Sequence, residues 1–143
     1  MLGPQIGEGR GKRTSRRVIA TEPEAKVEVS FEEKITVLGF EGMSIGTYVS
    51  AVRADGSLHG TGEGIYVTNE GDSVTWKAIG VGRLSPGGSV AYSGSLSYNT
   101  TAPRLAKLNG ISGVFQFEVD AEGNTHSRAW ELAPAGVSHG TVA

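Results

Sequence analysis

The chain has 143 residues, with 13 basic and 15 acidic side chains, 22 glycines and no cysteine. This length fits one domain with a real core, and the near balance of charge argues against the concentrated basic face of nonspecific nucleic-acid binding. The lack of cysteine excludes disulfides, a thiolate nucleophile and a cysteine metal site. No apolar run reaches the roughly 18 residues of a membrane span. We therefore expect a cytoplasmic protein with no cofactor, no metal and no membrane or nucleic-acid partner.

The first 24 residues divide into an irregular segment, a strand and a turn. Residues 1–11 are glycine-rich and expected to be irregular, and a first strand is predicted over Lys12–Ala20. Pro23 places a turn after it, because proline cannot donate to a strand ladder. The basic side chains here are interpreted as a solvated face, with contact to an anion as the alternative; they are Arg10, Lys12, Arg13, Arg16 and Arg17.

The next segment has the clearest alternation in the chain. Polar side chains hold one parity and apolar ones the other, at Val27, Val29, Phe31, Ile35 and Val37. Such alternation predicts a strand with one buried face. Glu33 falls on the apolar parity, so its carboxyl is predicted to point inward.

Four more predicted strands follow, at about Ile45–Val52, Leu58–Thr68, Ser73–Leu84 and Ser89–Asn99. Two of them carry glycine at every second position, as Gly60, Gly62 and Gly64 and then as Gly80 and Gly82. A stripe of glycine leaves one strand face bare, which allows a sheet to coil tightly or another group to press against the backbone.

A short helix is predicted over residues 102–109, with Pro103 in its first turn and Leu105 and Leu108 facing inward. It would plug one end of a barrel. The last two strands are predicted at Gly113–Val119 and Thr125–Leu132.

Eight strands joined mostly by short loops predict an all-β fold, an eight-stranded antiparallel up-and-down barrel with this one short helix. Closure leaves a narrow interior for side chains or one small ligand. Residues 1–132 are expected to form a single domain, and residues 133–143 a flexible tail.

The stretch Leu105–Gly113, LAKLNGISG, stands after six predicted strands and before two. There it resembles the short helical segment of allene oxide cyclase-like barrels and of related uncharacterised bacterial families, over roughly residues 25–132. The resemblance implies a calycin-type barrel that often oligomerises, here as a dimer or trimer. Members of that group either cyclise hydrophobic substrates inside the barrel or have no known activity. No catalytic residue is carried over from them.

Hairpin register predicts which side chains meet. If Asp55-Gly56 is a two-residue type I′ turn, Tyr48 lies opposite Glu63. If residues 69–72 form a four-residue loop, Ile65 lies opposite Trp76.

These pairings predict the two faces of the strands. Lysine is rarely buried, so the face of Trp76 rather than that of Lys77 is assigned to the lumen. Tyr48 and Glu63 then share the lumen with Trp76. The side chains of Tyr66 and Ile79 are expected on the outside.

Glu33 and Glu63 are therefore candidate catalytic carboxylates. A carboxyl in an apolar pocket has a raised pKa and can serve as a general acid or base near neutral pH, and Tyr48 would supply a hydrogen-bond donor. The alternative is that each glutamate lies in water at the barrel mouth or pairs with an arginine, such as Arg53, Arg83 or Arg128.

Six aromatic side chains are candidates for contact with a ligand: Trp76, Tyr92, Tyr98, Phe115, Phe117 and Trp130. The alternative is that they fill the core, as side chains do in most small barrels. The three histidines lack the spacing of a zinc site, and His59 is interpreted as a rim residue.

The sequence favours a barrel that binds a small hydrophobic molecule in its lumen. One alternative is a cofactor-free isomerase or cyclase that uses barrel shape and a lumen carboxylate. Another is a structural homo-oligomer with a filled lumen.

Overall fold

The computed structural model of the protein describes residues 2–133. It is a closed barrel of eight antiparallel strands, each bonded to the next and the last to the first. The strands are β1 (Leu2–Ala20), β2 (Lys26–Val37), β3 (Phe40–Val52), β4 (Leu58–Thr68), β5 (Ser73–Leu84), β6 (Val90–Thr100), β7 (Gly113–Val119) and β8 (Asn124–Leu132). The predicted all-β barrel is confirmed. Beyond Ala133, the predicted tail lies outside the described residues.

The strands of the barrel are strongly staggered. Paired residues followed around the barrel from Ala20 lead back to β1 at Glu8, 12 residues earlier. Stagger, strand tilt and barrel size are linked, so a large stagger gives steep strands and a wider interior. Eight strands can thereby enclose both large side chains and a cavity.

One end of the barrel is closed by the predicted short helix, a 3₁₀ segment at Pro103–Gly110 that we call the plug. Leu105 and Leu108 of the plug are fully buried against a cluster that includes Val74. The Asn109 side chain holds the plug to β6, since its amide donates to the Thr100 carbonyl and its oxygen accepts from the Thr100 N–H, at 2.9 and 2.8 Å.

The prediction that residues 1–11 are irregular is wrong, because β1 begins at Leu2. The glycines of this segment permit close approach of neighbouring backbone. A Cβ added to Gly11 would lie 1.8 Å from the carbonyl oxygen of Glu32. This segment lacks apolar alternation because Gly7, Gly9 and Gly11 lie opposite the inward residues of β2.

Both predicted hairpin registers are wrong by one residue. In the β3–β4 hairpin the Arg53 N–H donates to the Ser57 carbonyl at 2.8 Å, around a three-residue loop that ends on Gly56 at φ 86°. The β4–β5 hairpin repeats this form with Thr68 and Asp72 as the closing pair. A type I turn followed by a left-handed glycine closes such loops.

The register error at the β4–β5 turn changes the face assigned to β4, because that face follows from the pairing with Trp76 on β5. Tyr48 lies opposite Gly62, not Glu63, and Gly64 lies opposite Trp76. Glu63 is therefore exposed on the outside, opposite Lys77. The prediction that its carboxyl faces the lumen is wrong.

The same shift brings a tyrosine inside. Tyr66, expected on the outer face, is 2% exposed and donates a hydrogen bond to the carbonyl of Phe40. The face assigned to β5 does not depend on either turn. The face assigned to β3 is also correct, because the two one-residue errors cancel between β5 and β3. Ile79 lies outside as predicted and is 60% exposed.

Candidate functional site

The barrel lumen contains a cavity of about 120 Å³. The plug and its aliphatic cluster lie towards one end of it, and a cluster of aromatic rings lies towards the other. The wall between them includes Glu33, Ser44, Ala78 and Leu96.

The aromatic side chains of the wall lie directly against the glycines of β3, β4 and β5. A Cβ added to Gly64 would lie 2.3 Å from the Trp76 ring, and one added to Gly82 would lie 2.6 Å from the Tyr92 ring. A Cβ on Gly80 would be 3.0 Å from Phe115. The glycine stripes are therefore bare so that rings can lie on the backbone, and the space left at the centre is the cavity.

Glu33 places a carboxyl in the cavity wall, with 2% of the residue exposed. Each of its oxygens accepts one hydroxyl hydrogen bond from β8: Oε1 from Ser127 at 2.5 Å and Oε2 from Thr125 at 2.8 Å. Gly9 leaves room for the group, since a Cβ there would lie 3.0 Å from Oε1.

Burial governs the acidity of Glu33. Removal from water raises the pKa of its carboxyl, while the hydroxyls of Ser127 and Thr125 and the charge of His126 act in the opposite sense. A group poised in this way can exchange a proton with a bound molecule. The predicted alternative of an arginine partner does not describe Glu33, whose bonds come from these hydroxyls; Arg53 pairs with Glu24, and Arg128 with Glu118.

The aromatic end of the lumen, which we call the ring cluster, is built from Phe31, Tyr48, Tyr92 and Phe117. The Phe31 and Phe117 rings are 4.8 Å apart, and Tyr48 and Tyr92 meet edge to face at 5.5 Å. The Tyr92 hydroxyl is bonded to the Ser50 hydroxyl at 2.7 Å. Burial raises the pKa of both tyrosines. The cluster is thus apolar but carries hydroxyl groups.

Most of the residues predicted for the site are brought together. The cavity is lined by Glu33, Tyr48, Trp76, Tyr92, Tyr98, Phe115 and Phe117. Two predicted residues are elsewhere. Glu63 is on the outer face, and Trp130 follows the lumen-lining Ala129 on β8, so its side chain falls on the opposite face.

Sequence reasoning missed the hydroxyl groups that hold Glu33. Thr125 and Ser127 alternate with His126 and Arg128 along β8. Small side chains on one parity and large polar ones on the other indicate which face is inward. This alternation was the available signal, and it was obscured because the inward residues are polar.

Within residues 2–133, no group of three or more His, Asp or Glu side chains is placed to hold a metal ion. No helix in that range is long and apolar enough to cross a membrane.

Comparison with known proteins identifies a fold. No family model and no curated protein matches the chain. A protein of unknown function from Clostridium acetobutylicum superposes with a TM-score of 0.80 at 10% identity, over 93% of this chain and 98% of that one. A β-barrel-like protein from Acinetobacter baumannii gives 0.78 at 11% identity, over 93% and 96%.

A third structure, described as an enzyme from Penicillium herquei, gives 0.64 at 13% identity, over 90% of this chain and 92% of that one. At these identities the matches establish the barrel fold alone. The resemblance to allene oxide cyclase-like barrels stays a hypothesis.

Proposed function

We propose that this protein binds a small hydrophobic molecule in its lumen, with Glu33 as the polar anchor. The observation that carries the proposal is a cavity of about 120 Å³ whose wall combines aromatic rings with one buried carboxyl. Ligand sites are typically apolar pockets with a few placed polar groups. An engineered apolar cavity of about 150 Å³ holds benzene. We therefore expect the part of the ligand inside the cavity to be one ring with few substituents.

The chemistry of Glu33 narrows the polar part of that ligand. Each carboxyl oxygen already accepts one hydroxyl bond, and a carboxyl can make further bonds as acceptor or, when protonated, as donor. We expect the lumen to prefer a ring with a hydroxyl or carbonyl group over the plain hydrocarbon.

Titration calorimetry with phenol and benzene tests this proposal. Ala78→Leu fills the cavity and is expected to abolish binding of both probes, whereas Ala91→Leu makes the same change at an exposed position of β6. Glu33→Gln should weaken phenol more than benzene. Equal binding by the Ala78→Leu and wild-type proteins would place the probes outside the lumen.

We propose catalysis as the second candidate, a cofactor-free isomerase or cyclase with Glu33 as acid or base and Tyr48 as hydrogen-bond donor. The raised pKa of a carboxyl in the cavity wall favours it, and a barrel of similar fold is described as an enzyme. The test is exchange of the α-protons of cyclohexanone for deuterium in heavy water. Exchange above the buffer rate that is lost in Glu33→Gln would support catalysis, and exchange at the buffer rate would refute proton transfer with this probe.

Self-association is a further prediction that the outer face supports. Two cross-strand pairs of apolar side chains, Met43 with Val67 and Ile45 with Ile65, are each 41–56% exposed. Light scattering would distinguish the expected dimer or trimer from a monomer, and Ile65→Lys should dissociate an oligomer built on this face.

A further inference from the structure

Strand β1 extends beyond the strand that closes the barrel. Its pairing with β8 ends at Lys12, whereas its pairing with β2 continues to Ala20. Residues 13–20 therefore project past the last pair with β8, at the end of the barrel opposite the plug, and are supported by β2. We call residues 13–20 the lip.

The lip carries two arginines on its lumen side. Arg13 lies opposite Phe31 and Arg16 opposite Val29, and both partners are buried residues of the lumen face. Residues three apart in a regular strand point to opposite faces, but the irregularity between Arg13 and Ser15 brings both arginines to one face. Arg17 lies on the other face.

Arg13 is held in place at the edge of the lumen. The backbone N–H of Arg13 donates to the Gly123 carbonyl at 2.7 Å. The guanidinium of Arg13 lies over the same glycine, since a Cβ added to Gly123 would be 3.3 Å from Nη2. Its positive charge acts on the Tyr48 hydroxyl, where it opposes the effect of burial on the pKa. Tyr48 also lines the cavity, and so does Phe31, the residue that Arg13 faces on β2.

The two faces of the lip differ in charge pairing. Arg17 on the outer face pairs with Glu28 at 3.3 Å. Among the ion pairs of residues 2–133, none involves Arg13 or Arg16. Asp120, in the turn that contacts Arg13, instead accepts bonds from Glu122 and Asn124 of its own loop.

We propose that Arg13 and Arg16 form a carboxylate-binding subsite, so that the lumen ligand is a hydrophobic acid with its apolar body in the cavity and its carboxylate at the lip. A planar guanidinium matches a carboxylate in shape and charge. The inference rests on the proposed lumen-binding function.

The experiment is a calorimetric titration with phenylalkanoic acids of two to five methylene groups and with the alcohols of the same length. The wild type should bind the best acid about tenfold more tightly than its alcohol at low salt, and the ratio should fall as salt screens the charges. The double variant Arg13→Gln/Arg16→Gln should bring the ratio to about one. Arg17→Gln, the same change on the outer face, should leave it unchanged.

The outcomes distinguish failure of the carboxylate subsite at the lip from failure of ligand binding in the lumen. If the alcohols bind but the acids bind no better, or if the preference survives in the double variant, the lip subsite is refuted and lumen binding stands. If neither series binds, lumen binding itself fails. Because Arg13 contacts the β7–β8 turn, Arg16→Gln is measured alone as well: Arg16 is exposed, so loss of part of the acid preference there reports on charge and not on folding.

Discussion

Aliphatic side chains predominate at one end of the lumen, and aromatic rings predominate at the other. At the plug, Leu105, Leu108 and Val74 are 0% exposed, and Asn109 adds two hydrogen bonds to the β6 backbone. At the ring cluster, aromatic side chains pack against glycine and carry hydroxyl groups. Tyrosines line the cavity at both ends, Tyr66 and Tyr98 near the plug and Tyr48 and Tyr92 in the ring cluster. The ends differ in attachment: the plug is bonded to the β6 backbone, whereas the rings pack on glycine.

The largest expected effect breaks the plug. Leu105→Ala removes a fully buried side chain and is expected to lower the free energy of unfolding by about 4 kcal/mol, through lost burial and the cavity left behind. Urea denaturation measures it. Lys107→Ala, an exposed change in the same segment, should cost less than about 0.5 kcal/mol. A loss below about 1 kcal/mol for Leu105→Ala would contradict a closing role for the plug.

The next effect concerns the contact between ring and glycine. In Gly64→Ala the new methyl would lie 2.3 Å from the Trp76 ring and 2.5 Å from the Ile45 carbonyl oxygen. Overpacking of this kind is expected to cost about 3 kcal/mol. Gly60→Ala is the matched control, because its nearest neighbour is the Tyr92 ring at 3.3 Å. Equal stability of the two variants would show that the ring yields without cost.

These contacts show which parts of the fold can be predicted from patterns in the sequence. Alternation predicted the inward residues of β2, including Glu33, because a strand buried on one face has a period of two. The same pattern is absent at the start of β1, where Gly7, Gly9 and Gly11 lie opposite the inward residues of β2. The glycine stripe that marks β4 and β5 in the sequence is also the signal that identifies β1 as a strand.

The candidate site was less predictable because it depends on turn geometry. The sequence Ala-Asp-Gly at residues 54–56 suits a two-residue turn and also a three-residue turn that ends on a left-handed glycine. A difference of one residue exchanges the faces of the paired strand. The same one-residue difference at residues 69–72 is what places Glu63 outside, because the face of β4 is predicted from its pairing with Trp76. The partners of Glu33 come from β8, 92 and 94 residues away in sequence, so local patterns could not identify them.

The stability of the protein is expected to depend on pH through Glu33. Its pKa in the folded protein is raised above the reference value of 4.5. As pH rises, the Glu33 carboxyl therefore loses its proton at a lower pH in the unfolded chain than in the folded protein. The stability that neutral Glu33 contributes is complete below about pH 4.5 and is lost as pH rises through the folded pKa, by at most about 1.4 kcal/mol per pH unit.

Glu33→Gln should remove this dependence, and it is measured by urea denaturation at a series of pH values. The stability of the wild type relative to the variant is expected to fall as pH rises. Glu63→Gln controls for the loss of one carboxyl on the outer face. A relative stability that rises with pH would mean that the folded protein favours the ionised carboxylate.

The smallest expected effect tests whether the hydroxyl groups of the ring cluster contribute to stability. Tyr92→Phe keeps the ring and removes the hydroxyl bonded to Ser50 at 2.7 Å, which is expected to cost about 1 kcal/mol. A double-mutant cycle with Ser50→Ala isolates the pair, and a coupling energy near zero would show that neither hydroxyl depends on the other. A clear coupling would mean that the ring cluster is fixed by a polar bond, as the plug is.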